Sequence, residues 1–447
     1  MDDREIPAEA ERLAHDAVTT ALGYAASHGA DAAEAGASFE TGLSVTARQR
    51  DIESLEFQND RGFSVTVYRD QRKGSASTSD LSREAIETTV AKALYIADQT
   101  EKDTYSGLAE AARMAKACAD LDLDHSWALD AEAAGDLALE TEAAALAHDA
   151  RISNSEGASV ATQRGLSVYG NSHGFVGTQR RSLHTVSCAV LAENAEGMER
   201  DYYYDSARNP ARLLDGVAVG QRAAQRVVSR LSPTKLDTCD APVLFLADLA
   251  GGLIGHLLGA VAGGAQYRKA TYLLDALGET VMNPAVSIFE RPHLAEGIGS
   301  KMFDAEGVAT EPGHIVRDGV LERYILSSYS ARRLGRETTG NAGGVHNATI
   351  SGGGGSLDDM LKTLDRGFLV TEMMGQGVSV TTGDYSRGAA GFWGENGEIQ
   401  YPISEVTVAG NLDEMFKHIV AIGDDRDERR PVHCGSVLIE SMKIAGN

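Results

Sequence analysis

The most apolar stretch of the chain, residues 241–265, reads APVLFLADLAGGLIGHLLGAVAGGA. Within it Gly251, Gly255, Gly259 and Gly263 recur every fourth residue. On a helix that spacing gathers the glycines into one bare stripe, where a second backbone can come close. The same spacing pairs helices in membranes. Asp248, His256 and six glycines make the stretch a poor membrane span, however. It therefore predicts a buried helix in a water-soluble protein, and whatever surrounds it must be built to receive it.

A chain of 447 residues is too long for one compact core, and two domains are the natural count. Residues 5–28 place Leu13, Ala17, Ala21 and Ala25 on one helical face. The runs GLSVTA and GFSVTVY follow, with Phe63, Val65 and Val67 alternating against polar residues as on a half-buried strand. Ser82 is placed to cap a helix carrying Ile86, Val90, Ala93, Leu94 and Ala97. A second cycle opens with an alanine-rich helix near 130–150. It closes with a helix near 210–230, whose stripe would be Leu214, Val217, Gln221, Ala224 and Val228. Recurrent G-x-S-V and N-x-x-G tetrapeptides mark tight turns feeding strands, and suggest a duplicated helix–sheet–helix unit. Turn residues cluster in LSPTKLDTCDAP, residues 231–242, and beyond 280 strands and glycine turns dominate. The expectation is an α+β fold of two domains. Residues 1–235 form a helix-plus-antiparallel-sheet domain, and residues 236–447 a β-rich domain holding the glycine-striped helix.

A formal net charge of -24 without a basic patch excludes nucleic acid as a partner. RRLGR at 332–336 and RDERR at 426–430 are short and flanked by acids or glycines. Cys118, Cys188, Cys239 and Cys434 are widely spaced and form no C-x-x-C, which fits a reducing cytoplasm. The N-terminus lacks a basic segment followed by an apolar run, so neither a signal peptide nor a membrane attachment is expected.

A zincin needs two histidines on one helical face and a glutamate to activate water. His256 has only Gly255, Leu257, Leu258, Gly259 and Ala260 around it, so it reads as a core histidine rather than a ligand. SGGGGS at 351–356 lacks the Gly-Lys-Ser/Thr end of a phosphate loop. Asp358 and Asp359 already occupy the positive end of the helix that Ser356 caps. No G-x-S-x-G elbow exists. Asp304 and Glu306 in FDAEG read as a turn. His433 and Cys434 are neighbours on a strand and point to opposite faces. The densest polar cluster is Asp384, Tyr385, Ser386 and Arg387, between two glycines in strand context. Such a segment either pairs with an extended peptide at a sheet edge or locks a hairpin through an Asp–Arg pair.

GHLLGAVAGGAQYRKATYLLD, GNAGG, GDYSRGAAGFW and the ending CGSVLIESMKIAG together resemble the TldD/PmbA family, the modulators of DNA gyrase, and most closely its PmbA (TldE) branch. The resemblance covers essentially the whole chain. It implies a cytoplasmic zinc metallopeptidase of two unlike subunits, which encloses a chamber for unfolded peptides. The TldD-type subunit carries H-E-x-x-x-H and a cysteine ligand near its C-terminus, and so holds the zinc. Aligned on Gly259, that segment falls on Gly255-His256-Leu257-Leu258-Gly259-Ala260, where both histidine positions are lost. Cys434 matches the context of the cysteine ligand. The expectation is a subunit with no catalytic residue, metal or cofactor of its own. Asp384, Tyr385, Ser386 and Arg387, then Arg268 and Asn341, would contact substrate or partner. Two alternatives stand beside it. One is a stand-alone peptidase drawing ligands from His256, His346 and Cys434. The other is a non-enzymatic peptide-binding or assembly protein acting as a homodimer.

Overall fold

A computed structural model describes residues 6–116 and 119–446; Cys118 lies outside the described residues. The first half is built twice on one plan. Helix α1 (Ala10–Ser27) leads into strands β1 (Ala32–Arg48), β2 (Asp51–Arg69) and β3 (Arg72–Thr78), followed by α2 (Arg83–Gln99). The plan then repeats as α3 (Ala131–Leu146), β4 (Ile152–Asn171), β5 (Val176–Asn194), β6 (Gly197–Ala207) and α4 (Gly216–Ser229). The six strands form one antiparallel sheet in the order β3-β2-β1-β4-β5-β6, so the two copies meet at β1 and β4. The duplicated unit suggested by the recurring turns is present.

Strand alternation explains why one face of this sheet takes all four helices. Along β1 the buried side chains are Ala33, Ala35, Ala37 and Phe39, then Leu43, Val45 and Ala47. The first four pack with α1 and α2, the last three with α3 and α4. Ser82 and Asp130 cap α2 and α3 by accepting from Ala85 and Ala133, which satisfies backbone donors that the first turn leaves unpaired.

The buried face of α4 differs from its predicted stripe. Gly216, Val219, Gly220, Ala223, Ala224 and Val227 are buried, while Gln221 is exposed and Val217 and Val228 are half-buried. The inward face is carried by small residues because α3 lies so close. A Cβ at Gly220 would overlap the backbone oxygen of Thr141.

The second half begins with β7 (Cys239–Phe245), α5 (Ala247–Ala260) and α6 (Gly263–Tyr267). Strands β8 (Ser287–Glu290), β9 (Gly313–Arg317) and β10 (Val320–Leu321) follow, then α7 (Ser328–Arg333), β11 (Ala348–Ser351) and α8 (Leu357–Leu364). The chain ends with β12 (Arg366–Met374), β13 (Asp384–Glu395), β14 (Glu398–Asn411), α9 (Leu412–Lys417), β15 (Ile419–Ile422), β16 (Val432–His433) and β17 (Val437–Ala445). One sheet has the order β10-β9-β8-β11-β16. The other runs β14-β13-β12-β7-β17-β15, and a further β14–β17 pairing closes it on itself. A single large core joins the two sheets and the inner face of α5. The fold is thus α+β in two domains, rich in strand in the second half. Among the described residues no helix is long and apolar enough to cross a membrane.

Candidate functional site

Helix α5 starts directly after β7, and its packed face is Ala250, Leu253, Ile254, Leu257, Leu258 and Ala260, all buried. Burial of these side chains holds the helix at roughly 1.5–3 kcal/mol for each large one. Gly251 packs against Val432, and the later glycines face the other way. A Cβ on Gly252, Gly255 or Gly259 would meet no atom within 4 Å. The predicted stripe also stops short of Gly263. The chain leaves the helix at Val261 because Ala262 pairs with Ile325 and the Gly263 amide donates to the Ile325 carbonyl at 2.9 Å. Gly263 instead begins α6, packed against Ser330. So α5 is a buried helix on one side and a bare backbone surface on the other.

His256 sits half-buried on α5, with its ring 6.0 Å from that of Tyr385 in an edge-on arrangement. Burial, and secondarily the Arg387 guanidinium, hold its imidazole below the ordinary value, so it is neutral at neutral pH. Tyr385 is 3% exposed and also packs edge-on to Phe245. Burial pushes its hydroxyl up to about 12, against the opposing pull of Arg387.

Strand alternation divides the predicted tetrad. Tyr385 and Arg387 face a cleft, while Asp384 and Ser386 are exposed. Asp384 accepts from the Thr382 hydroxyl at 2.6 Å. Arg387 is not locked to Asp384; its Nε donates to the Gly375 carbonyl at 3.1 Å.

The cleft lies between the two halves of the chain and has a volume of about 310 Å³. From β6 and α4 come Asp201, Tyr204, Arg226 and Arg230; from the second half come Asp248, Gly252, Glu372 and Arg430. Ion pairs stitch the walls together. Arg226 reaches Asp248 at 2.7 Å and Asp201 at 3.4 Å. Arg230 pairs with Asp201 at 3.3 Å and with Glu372. Arg429 reaches Asp248 at 2.8 Å and donates to the Tyr204 carbonyl at 2.6 Å. Burial works against the charge on Arg226 and Arg230, but the facing carboxylates outweigh it and raise both above the ordinary value.

The remaining predicted residues lie apart from this cleft lining. Arg268 is exposed and stacks over the Tyr267 ring at 5.2 Å. Asn341 is buried, donating to Glu290 at 2.8 Å and to the Gly344 carbonyl at 3.1 Å. His346 is buried, with Nε2 3.0 Å from the Gly340 carbonyl. Asp304 organises the FDAEG turn: its carboxylate accepts the amides of Glu306, Val308 and Ala342, while burial raises it to about 6. His433 lines a second cleft of about 850 Å³, whereas its neighbour Cys434 is wholly inside the core.

The residues present do not fit a zinc ion on α5. His256 is the single ligating side chain among Gly255-His256-Leu257-Leu258-Gly259-Ala260. Cys434 is buried in the core, and burial with the nearby Asp425 raises its thiol above the ordinary value. Among the described residues, one group alone gathers three candidate ligands within 4.8 Å: Asp122, His125 and Glu296. There Glu296 already accepts from Asn209 at 3.1 Å and Arg212 at 3.2 Å.

Sequence reasoning missed Asp201, Arg226, Arg230, Thr371 and Arg430, which converge from segments far apart in the chain. The one available signal was RDERR at 426–430, whose last two arginines turn inward to Tyr204.

Comparison with known proteins places these observations. Three family models match: PmbA/TldA metallopeptidase domain 1 at residues 33–97, the central domain at 124–231 and the C-terminal domain at 238–446. The metalloprotease PmbA of Escherichia coli O157:H7 is 49% identical over 98% of this chain and 97% of its own length. A crystal structure from Bacteroides thetaiotaomicron, named for a modulator of DNA gyrase, superposes with a TM-score of 0.92 at 27% identity, covering 99% of this chain and all of that one. TldE from Thermococcus kodakarensis has the same fold, with a TM-score of 0.83 at 19% identity over 96% of this chain and all of its own.

Proposed function

The chain belongs to the PmbA/TldD family of metallopeptidases, and from that premise we propose that it is the subunit of a two-part zinc peptidase that holds no metal itself. The observation carrying this reading is the composition of α5. Where the resemblance implies H-E-x-x-x-H in a TldD-type subunit, this helix has Gly255, His256 and Gly259 around a face open to solvent. One imidazole cannot hold a divalent ion in a tetrahedral site. The same bare backbone leaves room for a partner or an extended peptide to approach α5 closely. Its role is then to wall a chamber and help hold unfolded peptide, while zinc and its activated water belong to the TldD-type partner. Tyr385 and Arg387 are the members of the polar cluster placed to touch substrate. Cytoplasmic residence follows from the same reading.

The test uses the purified full chain, alone and mixed with a TldD-type subunit, on an unstructured peptide. Alone, it retains no stoichiometric zinc and leaves the peptide intact; mixed, the peptide is cut. One zinc per chain, lost on Cys434→Ser, would sink this reading in favour of a stand-alone peptidase. Recovery from its own cells with no metal-bearing partner would point to the homodimeric binding protein.

A further inference from the structure

The inter-half cleft contains more donors than its own carboxylates use. Arg226 and Arg230 are spent on Asp201, Asp248 and Glu372, and Arg200 is paired with Glu156. Arg387 and Arg430 line the same cleft and form no ion pair within 4 Å among the described residues, Asp427 acting on Arg430 only from further off. The first reaches the Gly375 carbonyl and the Tyr385 hydroxyl, the second the Tyr204 hydroxyl at 3.1 Å, which leaves further N–H groups on each guanidinium. A third, independent feature lies beside them. Thr371 lines the cleft, and its hydroxyl is buried with no hydrogen-bond partner among the described residues. An orphaned buried hydroxyl costs about 1–3 kcal/mol, which a bound acceptor would return. Beside these donors the half-buried Leu249 and Met373 supply apolar surface, with Gly252 opening the wall toward the bare face of α5.

We propose that Arg387, Arg430 and Thr371 form a site for a peptide carboxylate, in which the C-terminal residue lays its apolar side chain against Leu249 and Met373. Guanidinium groups bind carboxylates through paired charge-assisted hydrogen bonds, and an apolar floor beside them suits a chain end better than a bare inorganic anion. The inference rests on the reading of this chain as a peptide-holding subunit, and adds the chemistry by which it selects and orients peptide. A side-chain carboxylate offers the same chemistry, so the test separates the two sources.

A labelled, unstructured peptide free of acidic side chains and ending in leucine is titrated against the full chain as the free acid and as the C-terminal amide. A third peptide is the amide with one internal glutamate. The free acid should bind at least about tenfold more tightly than the amide, the value of one charged hydrogen bond. Recovery of tight binding by the glutamate peptide would identify the side-chain source, still at this site. The Arg387→Gln, Arg430→Gln double variant should bind all three alike. Thr371→Val, which keeps the shape of the side chain, should weaken the acid several-fold and leave the amide unchanged. Equal affinities in the unaltered chain, or discrimination that survives in the double variant, would overturn the site. Cleavage by the mixed complex is followed in parallel. Cutting without acid–amide discrimination removes this site and leaves the subunit reading intact; discrimination without cutting does the reverse.

Discussion

Helices α4 and α5 both carry glycines four residues apart, Gly216 and Gly220 in one, Gly251, Gly255 and Gly259 in the other, yet they meet opposite surroundings. In α4 the glycines are consumed within the chain: a Cβ at either would run into Thr141 of α3. In α5 Gly255 and Gly259 look onto empty space, and the packing is done by leucine, isoleucine and alanine on the other side. One helix has glycine because its own neighbour is close. The other keeps a bare backbone at Gly255 and Gly259 with nothing of its own against it. Spacing alone does not distinguish the two uses, since it reports that something small is needed and not what is near.

Leu257→Ala, on the packed face of α5, should cost about 2–5 kcal/mol in chemical denaturation, because the core closes only partly over the lost volume. A negligible loss would mean that α5 is not anchored as described. Gly220→Ala should cost about 1–3 kcal/mol, since the added methyl meets helix backbone rather than a flexible side chain. If α4 accepted it freely, the contrast with α5 would vanish. Gly255→Ala should instead raise stability by roughly 0.5–1 kcal/mol, alanine being the better helix former. It should also lower peptide cleavage by the mixed complex, because the methyl projects into the open face. Unchanged cleavage would show that nothing docks there.

The smallest effect concerns acid. His256 is held below its ordinary value of 6.5 by burial and by Arg387. The neutral form is favoured in the folded chain, so its contribution is present above that value and is lost as pH falls below it. His256→Gln should therefore flatten the acid side of the stability profile measured from about pH 7 to 5. An unaltered profile would place the loss elsewhere.

Much of the first half was legible beforehand because its elements repeat a local rule. Phe63, Val65 and Val67 alternate and are buried, and Ser82 caps the helix it was expected to cap. The stripe on α4 departs from its periodicity because close helix contact selects small residues over larger apolar ones. For the cleft, Tyr385 and Arg387 were visible as part of a polar cluster. Their separation from Asp384 and Ser386 follows from strand alternation once β13 is recognised. Thr371 gave no local sign, since it belongs to no motif, and Arg430 showed only as the end of RDERR.

By itself the sequence determined the alternation of its strands, the caps of its helices, the family to which it belongs and the lack of paired imidazoles on α5. These are properties of neighbouring residues, set by backbone periodicity and side-chain chemistry. The tertiary structure alone decided which glycines are covered and which arginines remain without a carboxylate. Both depend on residues that are remote in the chain: Thr141 beside Gly220, and Asp201, Asp248 and Glu372 beside Arg226 and Arg230. Whether a charge is spent or available is a fact about distance in space, and no spacing along the chain encodes it.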